Sequence, residues 1–241
     1  MFDLRDYKTT PIFINSRDLL TPLKRLINWL RHAGYYNIYV IDNASTYPPL
    51  LEYLDQLSAI VKVIPLGANL GHTAIWTADL IARLNIRTPY VYTDPDIVPI
   101  DDCPHNVLEY FHSILTAFPD RPKVGFGLVI DDLPDHFRFK RKVVEWESLF
   151  WKKPITTKLY DAPVDTTFAL CRPDSSYTSL EGLRSGYPYV ARHYPWYENS
   201  HRPSAEHTYY VSHAQPGINT WSGDSLPEWL KRAIVNRAAS N

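Results

Sequence analysis

With 241 residues, of which 45% are hydrophobic and 21% charged, the chain has the length of one large domain or two small ones and enough apolar content to bury a sizeable core. Lys plus Arg total 25 against 26 Asp plus Glu, so there is no basic excess of the kind that marks a nucleic-acid binder. Cys103 and Cys171 fall in different predicted elements and form neither a disulfide framework nor a zinc spacing, which points to a reducing compartment.

Met1 to Thr10 is polar and charged, unlike a signal peptide, and no apolar run reaches the length of a transmembrane helix. The expectation is a cytoplasmic protein, with contact to a membrane surface left open. Pro11 to Asn15 reads as a first buried strand that ends in polar Ser16, Arg17 and Asp18. Thr21 and Pro22 read as a cap and a first helical residue. Leu23, Leu26, Ile27, Leu30 and Ala33 then follow at helical spacing, and Gly34 closes the helix. Asn37 to Ile41 is a second strand with a polar loop, Asp42 to Thr46, at its carboxyl end. Pro48 to Leu57 is a second helix and Ala59 to Pro65 a third strand. Buried strands alternating with amphipathic helices predict a parallel sheet with crossover helices, whose ligands gather at the carboxyl ends of the strands. Next, Gly67 to His72 forms a loop whose two glycines flank Asn69, before a helix predicted from Thr73 to about Leu84. Such a loop lets the backbone approach a ligand, or is a plain helix cap.

The fourth strand, from Tyr90, runs into Asp94-Pro95-Asp96. On an extended backbone, residues two apart face the same way, and Pro95 restrains both itself and Asp94. Two neighbouring carboxylates repel, so the pair calls for a proton, a sugar hydroxyl or a divalent cation, although Asp-Pro-Asp is also ordinary turn chemistry. Beyond it, Asp101 to Phe118 reads as a helix, Lys123 to Ile130 as a strand, Val143 to Trp151 as a short helix and Val164 to Cys171 as a strand. Asp174 to Gln215 shows little periodicity and reads as a long loop-rich region with a binding role or mobility. Leu226 to Ala239 reads as a helix carrying Trp229, Leu230, Ile234 and Val235, which docks on its own domain or lies on a membrane surface. No repeat or clear linker appears, so residues 1–241 read as a single domain. Its nucleotide-sugar half spans 11–100, its acceptor half 101–225, and a C-terminal helix covers 226–241.

Taken in order, Ile41-Asp42-Asn43-Ala44-Ser45, Asn69-Leu70-Gly71 and Thr93-Asp94-Pro95-Asp96 resemble a glycosyltransferase of the GT-A fold, close to the large inverting family 2. Asp165 to Leu170 and Ala191 to Tyr197 resemble bacterial and viral domains of surface-polysaccharide assembly. The resemblance implies a Rossmann-like α/β/α sandwich with a mostly parallel central sheet, and transfer of a hexosyl or deoxyhexosyl group from a nucleoside-diphosphate-sugar donor. The receiving group would be a hydroxyl of a glycan or lipid-linked glycan, with inversion implied and, as alternatives, retention or a non-catalytic carbohydrate-binding domain of the same fold. It implies Asp42, Arg17, Asn69 and Gly71 at the nucleotide, Asp94 at the ribose or a metal-bound water, and Asp96 on Mn²⁺ or Mg²⁺. His193 would be a third metal ligand and Asp165 the catalytic base, with Asp131, Asp132 and Glu145 in reserve. Trp196 and Tyr197 would stack on acceptor sugar, ahead of Trp146 and Trp151. A place in a larger multidomain enzyme is left open.

Overall fold

The computed structural model describes residues 6–176, 181–214, 221, 225–226, 228 and 230–232. Its amino-terminal half follows the predicted alternation: β1 (Ile12–Ser16), α1 (Thr21–His32), β2 (Ile38–Asp42), α2 (Pro48–Leu57) and β3 (Lys62–Pro65). α1 forms because Leu23, Leu26, Ile27 and Leu30 share one buried face, with a proline in the first turn. It stops at Gly34, whose φ of +83° is the left-handed conformation that glycine adopts without a Cβ penalty. Thr21 does not cap this helix. Its amide and hydroxyl both bond to Glu206, far along the chain.

The helix predicted over 73–84 is two short ones, α3 (Ala74–Thr77) and α4 (Leu80–Arg83), broken at Asp79, where φ is +51°. β4 (Tyr90–Thr93) ends before Asp94, and the chain then turns into β5 (Ile97–Pro99). α5 (Val107–Ala117) begins later than the acidic start at Asp101 suggests. β6 (Lys123–Leu128) and α6 (Lys140–Glu147) lie close to their expected places. A small hairpin, β7 (Pro154–Thr156) and β8 (Leu159–Asp161), was not foreseen, and the strand expected from Val164 is only β9 (Ala169–Cys171).

The region read as loop holds the longest strand, β10 (Leu183–His193), and a helix, α7 (Ala205–His213). Gly186 and Pro188 interrupt the alternation of β10 in sequence, and its pairing with β6 shifts register between Ser185 and Val190. Of the C-terminal helix, Leu226 and Leu230 are buried beside Phe139, Trp146 and Trp221, which favours docking on the chain itself. Trp229, Ile234 and Val235 lie outside the described residues.

Among the described residues the strands form one ten-stranded sheet in the order β3-β2-β1-β4-β9-β6-β10-β8-β7, with β5 paired to β10. β3, β2, β1, β4, β6 and β10 run the same way, and β9 is wedged antiparallel between β4 and β6, so the central sheet is mostly parallel. Both faces are covered. Ile12 and Ile14 of β1 pack toward α1, α2 and α5, whereas Phe13, Tyr39, Ile41 and Tyr92 pack toward Ile75 and Leu80 of α3 and α4. The result is an α/β/α sandwich. Among the described residues, no helix is long and apolar enough to cross a membrane.

The buried His112 of α5 gives the fold a pH dependence. Its Nε2 lies 3.1 Å from Thr10 Oγ1, and burial pulls its pKa down from 6.5 to about 4. The folded chain keeps it neutral while the unfolded chain takes up a proton. Stability from this group is therefore complete above pH 6.5 and falls away as the pH drops toward about 4, by roughly 3 kcal/mol in total. We expect His112→Gln to flatten this part of the profile in urea unfolding between about pH 7 and about pH 4.5. Parallel loss of stability in wild type and variant would refute the assignment.

Candidate active site

The parallel strands deliver polar residues to one edge of the sheet. After β1 come Arg17 and Asp18. Arg17 donates through Nη1 to the carbonyls of Asn43 (3.1 Å) and Ala44 (2.6 Å), so it braces the loop after β2. Asp18, almost wholly buried, accepts from the amides of Thr46 (2.5 Å) and Tyr47 (2.8 Å). Asp42 accepts from the amide of Ser45 at 2.9 Å and so shapes the turn it begins.

Asn43 ties this loop to the next. Its Oδ1 accepts from the amide of Leu70 (2.7 Å), and its Nδ2 donates to the carbonyl of Gly71 (2.9 Å), which also accepts from Asn15 Nδ2 (3.1 Å). Asn69 Oδ1 takes the Gly71 amide at 3.0 Å. Gly71 has φ +72°, and nothing lies within 4 Å of where a Cβ would stand, so a ligand has room to approach the backbone there. Arg17, Asp42, Asn69 and Gly71 thus meet in one rim of three linked loops. Asn15 and Asn43, which sequence reasoning did not single out, hold that rim together.

Asp94 and Asp96 occupy a turn, not an extended strand, so the alternation argument for their shared direction does not apply. Their proximity comes from tertiary bonding instead. The Asp94 amide donates to the carbonyl of Thr166 (3.1 Å), and the Thr166 hydroxyl donates to Asp94 Oδ2. The Phe168 amide reaches Thr93 Oγ1 at 3.2 Å, fixing the loop before β9 against the turn. Phe168 has φ +40°, a left-handed conformation that is strained for a bulky side chain and is held by this packing. Burial raises the Asp94 pKa well above the usual carboxylate range. Repulsion from Asp96 adds to that and the Thr166 bond opposes it, with Asp165 contributing further repulsion.

Antiparallel pairing of β10 with β5 sets His193 opposite Ile97, and the Tyr194 amide bonds to the Asp96 carbonyl at 2.8 Å. This register brings His193 Nε2 to 3.5 Å from Asp96 Oδ2. The other carboxylate oxygen of Asp96 is buried with no hydrogen-bond partner among the described residues, and so is His193 Nδ1. A buried anionic oxygen left in this way is costly, and a cation beside it would remove the cost. The donor set of carboxylates and an imidazole suits Mn²⁺ or Mg²⁺. Among the described residues no three such side chains are drawn together as a ready ligand cluster, because the Asp94 carboxylate is turned toward Thr166.

Asp165 is exposed and adjoins the pair, since its charge acts on Asp94. The reserve carboxylates are engaged elsewhere. Asp132 forms an ion pair with Arg192 (2.7 Å) and accepts from the Tyr197 hydroxyl, Asp131 accepts from the Tyr187 hydroxyl (2.9 Å), and Glu145 pairs with Lys142 (2.8 Å). Trp196 is 1% exposed and stands in the core against His193, so it offers no face to an acceptor sugar. Its apolar ring supports the imidazole instead. Trp146 packs on Phe150, and Trp151 on Tyr160 and Tyr187. Tyr210 of α7 was also missed. Burial, and then the charges of Asp96 and Asp94, push its pKa up, so the field of the carboxylate pair reaches it.

No protein-family model matches the chain, and no curated protein does. Among solved structures, the mannosyltransferase PcManGT from Pyrobaculum calidifontis, in complex with GDP-Man and Mn²⁺, is similar at 12% identity with a TM-score of 0.50, covering 95% of this chain and 69% of that one. S. aureus TarS (1–349) is similar at 12% identity and TM-score 0.43, covering 67% and 46%, and a UDP-glucose pyrophosphorylase complexed with UDP-glucose at 11% and 0.39, covering 96% and 88%. At such identity the likeness to PcManGT is one of architecture alone. The chain therefore has a GT-A-like glycosyltransferase fold.

Proposed function

We propose that the chain is a metal-dependent glycosyltransferase that moves a sugar from a nucleoside-diphosphate-sugar donor to a hydroxyl of a glycan, with inversion at the anomeric carbon. The observation that carries this reading is the acidic turn at the end of β4, where Asp96 keeps a buried, unpartnered carboxylate oxygen beside His193 and Asp94 is held by Thr166. The similarity to a fold seen with GDP-Man and Mn²⁺ supports it.

Asp96 and His193 would hold Mn²⁺ or Mg²⁺, with Asp94 the second carboxylate of the site. When bound, the ion offsets negative charge on the departing diphosphate. The chain's own residues do the rest. The rim of Arg17, Asp42, Asn69 and Gly71 receives the nucleotide, with the open backbone at Gly71 admitting close approach. Asp165 takes the proton of the acceptor hydroxyl as that oxygen bonds to the anomeric carbon. The bond from that carbon to the diphosphate oxygen breaks, and the nucleoside diphosphate leaves with the electron pair. The acceptor is a glycan or lipid-linked glycan, and residues 1–241 act as one unit, alone or within a larger enzyme.

A thermal-shift panel of GDP- and UDP-sugars, each with and without Mn²⁺, tests the reading. One donor at about 100 times its dissociation constant stabilises the fold by about 2.7 kcal/mol, a shift of a few degrees, and only when Mn²⁺ is present. A panel that moves nothing in either condition overturns it. Proton NMR of the product's anomeric position distinguishes inversion from retention.

A further inference from the structure

α7 docks in an unusual way for a surface helix, because none of its residues is fully buried and it is held by polar groups. Glu206 receives the amides of Leu20 (2.7 Å) and Thr21 (2.9 Å) at the start of α1, and the Thr21 hydroxyl as well (2.6 Å). A carboxylate at a helix amino terminus is favoured by the free N–H groups and the helix dipole. Tyr209 donates to the carbonyl of Thr46 (2.9 Å) in the loop after β2, and its ring meets Tyr47 at 4.9 Å. The helix therefore spans the loops that follow β1 and β2.

Residues 206, 209, 210 and 213 stand at helical spacing on one side. The same docking that seats Glu206 and Tyr209 thus carries Tyr210 toward the ends of β1 and β4. There the charges of Asp96, Asp94, Arg17 and Asp18 act on its hydroxyl through space, and among the described residues none of them bonds to it. A neutral phenol beside several carboxylates is a donor, and the acceptor that the site is built to receive is a phosphate oxygen. Hydrogen bonds to charged acceptors are among the stronger ones a neutral group makes.

We infer that Tyr210 is a further donor-binding residue, giving its hydroxyl proton in a hydrogen bond to the diphosphate of the nucleotide sugar while α7 lies across the strand ends. This rests on the nucleotide-sugar reading of the acidic turn. It adds a contact from the far end of the chain, so that α7 closes the nucleotide site over the diphosphate.

Isothermal titration of wild type and Tyr210→Phe with GDP and UDP in Mn²⁺, and with guanosine and uridine, tests the contact. The variant keeps the ring and loses only the hydroxyl. The expected result is a loss of about 10- to 100-fold in affinity for whichever diphosphate wild type binds, with nucleoside affinity unchanged. Glu206→Gln, which loosens α7 without altering Tyr210, should show a smaller loss of the same selectivity. Equal diphosphate affinity in wild type and Tyr210→Phe overturns the inference while leaving the donor reading intact, and an equal loss for nucleosides also overturns it. Wild type that binds neither diphosphate removes the donor reading and this contact with it.

Discussion

Asp96→Asn is expected to lower Mn²⁺-dependent donor turnover by about 10²- to 10³-fold while leaving the ligand-free protein as stable as wild type or more so. The two halves of this result have one cause. Asp96 is 8% exposed, one of its oxygens has no partner among the described residues, and its charge helps to raise the Asp94 pKa. Without a cation, such a carboxylate costs the fold desolvation and repulsion, and its removal relieves Asp94. With the cation and diphosphate present, the same charge becomes the ligand on which electrostatic stabilisation of the leaving group depends. Residues kept at a cost to the fold are those whose gain appears only with ligand bound. Initial rates across a Mn²⁺ titration, with melting curves taken in a chelator, measure both halves. Turnover at the wild-type level would displace the ion from this turn. A collapse of the ligand-free melting temperature would instead make Asp96 a structural residue.

The amino-terminal half of the fold was legible because its elements obey local rules. Ile12 to Ile14 and Ile38 to Ile41 are continuous apolar runs, and Leu23, Leu26, Ile27 and Leu30 mark a helix face that really is buried. β10 was not legible. Leu183 to His193 includes Gly186 and Pro188, shifts register against β6 midway, and pairs with β8 at one end and β5 at the other. α7 was not legible either, because the periodicity that identifies helices is apolar and the docking residues of this one are Glu206, Tyr209 and Tyr210. The site shows the same division. Arg17, Asp42 and Asp94 could be placed at strand ends by alternation alone. His193, by contrast, reaches Asp96 only through the pairing of β10 with β5, and Thr166 reaches Asp94 only through the loop that β9 anchors. Trp196 was misread because an aromatic residue beside proline gives no sign of which side it faces, and here it faces the core.

Asp165→Asn is expected to reduce sugar transfer by about 10²- to 10⁴-fold with donor affinity unchanged, the signature of a lost proton acceptor. The assignment follows from position. Asp165 precedes Thr166, whose hydroxyl holds Asp94, so the backbone that orients the acidic turn also fixes the base relative to it. Asp165 is exposed, where an acceptor hydroxyl can arrive, and the bond from the Phe168 amide to Thr93 holds the loop against the turn. Asp132 balances the Arg192 guanidinium and receives the Tyr197 hydroxyl, and Glu145 pairs with Lys142 on the helix surface. For Asp132 to take a proton from substrate, it would have to give up those partners and leave Arg192 without its counter-ion. Asn keeps the size and polarity of Asp165 but cannot accept a proton at neutral pH, and it also removes the charge that acts on Asp94 and Lys123. Single-turnover rates measured at saturating donor, alongside donor binding by titration, separate the two effects. If Asp165→Asn transferred sugar at the wild-type rate while Asp132→Asn did not, the base would belong at the carboxyl end of β6, and the Arg192 pair would have to open during each turnover.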